Sequence, residues 1–429
     1  MEIIAVLLFC AGLITCLALD ISLIAALAAG FVVFSVYGRL RGFAWKALFR
    51  AAWNSVKTIR ELIITFILIG MLTALWRASG TIPVIICYAA KLIHPSVFLM
   101  MAFLLCCAVS VLTGSSFCTA ATMGVICAAM GRTMEVQPML VGGAVLAGSF
   151  FGDRCSPVST SALLVATVSG TDMHKNLRAM ARGAVVPFLL SCGLFLLLGA
   201  LTPHGSGGTD LGAVFAREVR LHWSALLPAL VIPVLALLRA PIRTTMAVSI
   251  LIALPLCFFL QDAALPALLR SMLLGYSAAD AAAAPMMDGG GILSMLEMTV
   301  IVAIAASYSG IFRMTGIFNS AKRVIAKVSA RTSPFCAVLC TTVLTAMISC
   351  NQSLPIMIGH QLCSDLDTPE AIAIDLEDSA VIVSPLVPWT IASTVPLAMI
   401  GAPTVSVLAA LYLWLQPLWH LALSLRKKK

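Results

Sequence analysis

The chain has 429 residues and a formal charge of +9, yet only 10% of it is charged while 61% is hydrophobic, with a mean hydropathy of +1.05. A water-soluble domain carries about 25% charged residues, so this chain is solvated by lipid, which excludes soluble enzymes and nucleic-acid binders. The basic excess then belongs to loops facing the cytoplasm rather than to a polyanion site.

At about 20 apolar residues per span the length leaves room for roughly ten spans. In chain order, the runs 2–19, 21–37, 62–76, 136–169, 183–201, 223–238, 244–261, 291–311, 371–400 and 403–423 read as spans. The first resembles a signal peptide, but the charge ahead of it is Glu2 and a second apolar run follows at once, so both read as retained. The runs 96–112 and 117–131 are joined by Thr113-Gly114-Ser115-Ser116, and the runs 334–348 and 354–363 by Ser349-Cys350-Asn351-Gln352-Ser353. Both pairs read as hairpins.

The basic residues set the orientation. Arg39, Arg41, Lys46, Arg50, Lys57 and Arg60 share one loop, and Lys175, Arg178 and Arg182 another. Arg239 and Arg243, then Arg313, Lys322, Arg323, Lys327 and Arg331, then Arg426 and Lys427 to Lys429 fall on the same side, which brings it 20 of the 27 basic residues. Both termini are therefore expected in the cytoplasm of a bacterial cell, with the chain in its cytoplasmic membrane. The 14 cysteines lie mostly in apolar runs without paired Cys-x-x-Cys spacing and read as small buried residues.

Trp76-Arg77-Ala78-Ser79-Gly80 resembles Phe312-Arg313-Met314-Thr315-Gly316, and the polar breaks recur at nearly the same offset. Five spans separate the two copies, an odd number, so the second is expected upside down. The fold expected is an all-α polytopic membrane protein with two inverted-topology repeats, each holding a re-entrant hairpin and a broken transmembrane helix. Its parts are two N-terminal spans with a basic loop (1–61), the first repeat (62–201), connecting spans (202–290), the second repeat (291–425) and a basic tail (426–429).

The run 136–169 is too long for one simple span, and Pro157 at its centre removes a backbone donor. Unwound backbone at that depth is tolerated only beside protein or water, so a cavity is implied. Asp153 with the hydroxyls of Ser156, Ser159, Thr160 and Ser161 would face it, and Glu377, Asp378, Ser384, Pro385, Thr390, Ser393 and Thr394 repeat the logic in 371–400. The hairpin tips add Gly114, Ser115, Ser116, Asn351, Gln352 and Ser353. Hard oxygen ligands of this kind suit a small cation such as sodium, and no cofactor or resident metal is implied.

Asp153 and Asp378 are the sharpest candidates, because a carboxylate in a low-dielectric cavity can exchange a proton for a cation. Asparagine at either position is expected to stop the coupled step and leave the chain folded. The alternative is that each caps a half-helix or pairs with a neighbour such as Arg154. Glu297 reads equally as a headgroup-level residue or a relay, and His360 as a polar residue near the cytoplasmic surface. Asp375 lies one turn before Asp378 and extends the acidic path, while Asp365, Asp367 and Glu370 read as a solvated connector.

The stretch Gly148 to Ala166, with Phe150-Phe151-Gly152-Asp153-Arg154 and Ser156-Pro157-Val158-Ser159, resembles the signature of the NhaC family of sodium/proton antiporters. So does Glu377-Asp378-Ser379 followed by Ser384-Pro385-Leu386-Val387-Pro388-Trp389, and the likeness covers roughly residues 60 to 425. It implies an ion-transporter-type fold and secondary transport of sodium against protons. Where the family usually continues Ser-Pro-Leu-Ser-Asp-Thr-Thr-Asn, this chain has Thr160 in place of the Asp, and Thr390 replaces the Asn that often follows Pro-Trp. The same resemblance admits relatives that move organic acids or amino acids, so the alternative is a sodium- or proton-coupled carrier of a small carboxylate or amino acid. The partners expected are sodium and protons, or such an anionic or zwitterionic solute, within the lipid bilayer, and a homodimer is compatible with this class.

An intramembrane aspartyl enzyme would also use two aspartates, sharing one proton. Its motifs, Tyr-Asp and Gly-x-Gly-Asp, are replaced here by Leu376-Glu377-Asp378 and Phe150-Phe151-Gly152-Asp153, and four polar breaks are unneeded for hydrolysis.

Overall fold

The computed structural model describes residues 23–426 apart from 59, 93, 203–210, 239, 281–282 and 316–321, together with 8, 9, 11, 12, 15 and 16. The expected span 2–19 lies mostly outside the described residues, and the tail residues 427–429 wholly so. Apart from one bridge between Tyr276 and Gly289, the described residues form helices and loops. The chain opens with α1 (Leu23–Leu40), α2 (Trp45–Thr58), α3 (Arg60–Ala78) and α4 (Thr81–Leu92). Next come α5 (Phe98–Thr113), α6 (116–133), α7 (Pro138–Cys155), α8 (Thr160–Ser169) and α9 (Met173–Leu201). The middle holds α10 (Leu211–Glu218), α11 (Leu227–Leu237), α12 (Ile242–Phe259) and α13 (Leu265–Leu274). The last part holds α14 (Leu296–Thr315), α15 (Lys322–Arg331), α16 (Pro334–Ser349), α17 (Ser353–Cys363), α18 (Pro369–Leu386), α19 (Ile391–Met399) and α20 (Leu411–Arg426).

Not every apolar run becomes one long helix. Among the described residues, Pro95–Thr113, Met173–Leu201 and Ile292–Phe312 are each long and apolar enough to cross a bilayer. Two pairs, Ile63–Ala78 with Thr81–Tyr88 and Pro369–Leu386 with Ile391–Met399, are long and apolar enough only together, bent by 66° and 54°. The first bend is at Gly80, whose φ of 80° an L side chain rarely adopts.

The run 136–169 divides at 156–159, as its proline and hydroxyls suggest. The run 371–400 divides later than its Ser-Pro pair suggests: helix continues through Ser384 and Pro385 to Leu386, and the chain leaves it at 387–390. Pro385 opens a 3-10 turn, so its missing N–H costs little there. The turn before it, Glu377–Val381, is π-helical, and the Val381 carbonyl that Pro385 cannot bond accepts from Gln352 Nε2 at 3.4 Å instead.

Close helix contact fixes where the first break lies. A Cβ on Gly148 would sit 2.6 Å from the Phe103 carbonyl oxygen, and one on Gly152 2.1 Å from the Ser110 carbonyl carbon. These two glycines, one turn apart, let the α5 and α7 backbones touch, a small-residue contact suited to a lipid environment.

The two halves share lengths and caps. α5 and α16 each have 16 residues, begin 236 apart and end on a left-handed residue, Gly114 (φ 64°) and Cys350 (φ 56°). α7 and α18 begin 231 apart, each on a proline, and α8 and α19 follow at the same 231 spacing behind the caps Ser159 and Thr390.

Candidate functional site

Each helix-pair tip abuts the break in its own half. A Cβ on Gly114 would lie 2.6 Å from the Val158 carbonyl carbon and 2.7 Å from the Ser159 nitrogen, so glycine is required there by both φ and space. In the second half the Ile391 N–H donates to the Cys350 carbonyl at 2.9 Å. The tips are capped alike: Ser115 Oγ accepts from Cys118 N at 3.3 Å and Asn351 Oδ1 from Leu354 N at 2.9 Å. Gln352 then reaches across to the first half, its Nε2 donating to Asp153 Oδ2 at 3.0 Å.

Asp153 is buried, and its hydrogen-bond partners among the described residues, Ser159, Ser161 and Gln352, are all neutral. Ser159 Oγ donates to Oδ1 at 3.2 Å and also to the Asp153 backbone carbonyl, while Ser161 Oγ lies 3.2 Å from both oxygens. Glu377 is fully buried, within electrostatic reach of Asp153, Asp378 and Arg154, and neither of its carboxylate oxygens has a hydrogen-bond partner among the described residues. The Ser393 hydroxyl, also buried, likewise has none.

Asp378 sits in a different environment. Arg154 Nε donates to its Oδ1 at 2.5 Å, Gln416 Nε2 to the same oxygen at 3.1 Å, and His420 Nδ1 lies 2.7 Å from Oδ2. Arg154 is itself buried and is held further by the Met180 carbonyl at 3.1 Å. The neighbour pairing weighed for Asp153 thus goes across the molecule instead: Arg154 turns to Asp378, because adjacent residues on α7 point to different sides of the helix.

Other expected ligands are occupied by backbone. Ser156 Oγ donates to the Val111 carbonyl at 2.6 Å, Ser384 Oγ to Ala380 at 2.5 Å, and Thr390 Oγ1 to Ser384 at 2.7 Å. Thr394 Oγ1 does the same to Thr390 at 2.9 Å. Pro157, Thr160 and Ser353 are exposed, whereas Ser116 and Pro385 are buried. Glu297 is exposed in the first turn of α14, His360 is half-buried, and Asp365, Asp367 and Glu370 are exposed.

Three participants lie where the sequence reading placed a plain span or a mere neighbour. Gln416 and His420 stand four residues apart in the run 403–423, hence on one helix face, and polar groups of that kind inside an apolar run are a site signal in themselves. Arg154 carried the same signal.

A model described as the Na+/H+ antiporter family matches residues 1–180 and 171–424. The chain is 27% identical over 403 residues to the Na+/H+ antiporter NhaC of Alkalihalophilus pseudofirmus, covering 90% of this chain and 86% of that one. It is 24% identical over 415 residues to the malate-2H+/Na+-lactate antiporter of Bacillus subtilis, covering 92% and 87%. With the arginine/ornithine antiporter ArcD of Halobacterium salinarum the identity is 27% over 381 residues, covering 86% and 79%. With helices of spanning length and a family match running through both halves, this chain belongs to the Na+/H+ antiporter family.

Proposed function

We propose that the chain exchanges sodium for protons across the cytoplasmic membrane, with Asp153 as the carboxylate for which the two cations compete and Glu377 as its auxiliary. The observation that carries this is the setting of Asp153: a buried carboxylate at the first helix break, bonded among the described residues by Ser159, Ser161 and Gln352. An isolated buried carboxylate is costly, and none of those partners supplies a positive charge. A proton or a sodium ion does, and binding one in place of the other is antiport. Glu377 and Ser393 supply further oxygens without hydrogen-bond partners. The protein is a membrane transporter rather than an enzyme, as its family is.

The proposed architecture is a pair of inverted repeats with re-entrant hairpins, supported by the equal lengths, shared left-handed caps and constant offsets of the two halves. In this arrangement each tip closes on its own break, and Gln352 reaches over to Asp153. Both termini and the loop around Gly42 are cytoplasmic, which labelling of single cysteines by an impermeant reagent in intact cells tests.

Relatives named for malate and lactate or for arginine and ornithine keep an organic substrate in view, as do Thr160 and Thr390. The chemistry of the site favours a cation: it offers carboxylates, hydroxyls and an amide, and the nearby guanidinium of Arg154 is engaged by Asp378. Reconstituted protein loaded with a pH dye decides it. Proton movement on adding sodium, lithium or potassium supports antiport, and movement only on adding carboxylates or amino acids overturns it.

A further inference from the structure

A cavity of about 840 Å³ opens beside the carboxyl-terminal end of α20, lined among others by Asp367, Asp375, His420, Ser424 and Arg426. At its floor the His420 ring stacks on Phe335, with centroids 4.0 Å apart and planes 12° from parallel. One ring nitrogen, Nε2, lies 3.3 Å from Asp375 Oδ1 and the other, Nδ1, 2.7 Å from Asp378 Oδ2. The His420 side chain is the most exposed of the three at 21%, with Asp375 at 8% and Asp378 at 3%, so the ring itself reaches the cavity and Asp378 is the buried end. Imidazole hydrogen-bonded to one carboxylate through Nδ1 and within 3.3 Å of a second through Nε2 has a proton acceptor or donor on either side.

We propose that Asp375, His420 and Asp378 are the proton path between this cavity and the buried centre, separate from the cation position at Asp153; the inference rests on the antiport reading. A proton leaving Asp378 Oδ2 binds Nδ1 of the neutral ring, giving an imidazolium between two carboxylates. The imidazolium then loses its Nε2 proton to Asp375, and Asp375 gives one to cavity water. A turn of the ring about its Cβ–Cγ bond carries Nδ1–H away from Asp378, cavity water takes that proton and returns one to Nε2, and the reverse turn restores the starting tautomer. The charged groups facing His420 among the described residues are Asp375 and Asp378 on α18 and Arg154 on α7, with Asp367 and Arg426 farther out on the cavity wall. The packed face of α16 adds Phe335, and Ser333 ahead of it hydrogen-bonds Ser424 at 2.5 Å. Arg154 holds Asp378 in place while its proton changes.

The test uses the full chain in liposomes and two readouts, sodium-driven proton flux and exchange of radioactive sodium for sodium, which needs no net proton. His420→Gln is expected to lower proton flux by about 100-fold while leaving sodium exchange within about two-fold. Asp375→Asn lowers proton flux less, because cavity water still reaches Nε2. His420→Ala, supplied with free imidazole, should regain proton flux, which a purely structural role does not allow. Equal loss of both fluxes in His420→Gln with no rescue of His420→Ala, or wild-type proton flux and pH profile in either variant, overturns the relay. Modification of His420 by diethyl pyrocarbonate, read by mass spectrometry, reports cavity access without transport. Absence of the adduct overturns the relay even where antiport stands, whereas wild-type protein that moves no protons on a sodium gradient overturns the antiport reading and the relay with it.

Discussion

Asp153 and Asp378 are both buried carboxylates, Asp153 next to the break at 156–159 and Asp378 in the π-turn ahead of the break at 387–390, and they differ in what neutralises them. Asp378 has a guanidinium, an imidazole and an amide on its two oxygens, and the guanidinium comes from the other half of the chain. Asp153 has two hydroxyls and an amide. The same residue type therefore meets two settings: one carboxylate completes a buried ion pair that ties α7 to α18, and the other, on the proposed reading, is left to a mobile cation. Likeness of residue type does not carry over to likeness of setting, because a single arginine, Arg154, pairs with one of the two and not with the other.

The largest effect is expected at Asp153. Asp153→Asn keeps the shape and hydrogen bonding of the side chain but needs no counter-charge, so sodium-dependent proton movement in proteoliposomes should fall to background. Elution by size exclusion and thermal unfolding should match the wild type. Retained exchange would reverse the comparison and move the cation to Glu377.

Asp378→Asn should fail by a different route. It strands the buried Arg154 charge, and breaking a buried pair from one side costs about 3–5 kcal/mol, so poorly folded protein and a lowered unfolding temperature are expected. Replacing Arg154 by Met in the same chain should recover part of that loss, measured as a double-mutant cycle on stability. A fully stable Asp378→Asn protein would show that the pair is not holding the halves together. This departs from the expectation that asparagine at either position leaves the fold intact, and the cause is the cross-chain pairing of Arg154.

A packing change tests whether the breaks depend on the helix contact that positions them. Gly152→Ala places a Cβ 2.1 Å from the Ser110 carbonyl carbon, a backbone atom that cannot rotate away. Forced separation of α5 and α7 should cost about 1–3 kcal/mol and lower exchange, since Gly114 and Ser159 part with them. Unchanged stability would mean the two helices slide without penalty.

Much of the coarse picture is legible in residues alone. Low charge fixes the membrane class, Pro157 with its hydroxyls marks the first break, and an aspartate in an apolar run marks itself. Pro385 misleads because a proline opening a 3-10 turn after a π-turn does not stop the helix, so the second break falls at 387–390. The partners of Asp378 are not legible at all as partners: Arg154 and His420 are 224 and 42 residues away in sequence, and only the packing of α7, α18 and α20 brings them together. Which hydroxyls face the cation is also a matter of helix phase, which spacing around a break of four residues does not determine.

Thr160 and Ser161 isolate that last point and carry the smallest expected effect. Thr160 opens α8 and is exposed, whereas Ser161, one residue on, bonds both oxygens of Asp153. Ser161→Ala should raise the sodium concentration needed for half-maximal exchange, because the carboxylate loses a donor that fixes its orientation. Thr160→Ala should leave stability within about 0.5 kcal/mol of wild type and exchange within about two-fold. If Thr160→Ala instead weakened sodium dependence as much as Ser161→Ala, α8 would have to turn by about 100° during transport to bring position 160 inward, and the difference between the two aspartates would belong to one conformation only.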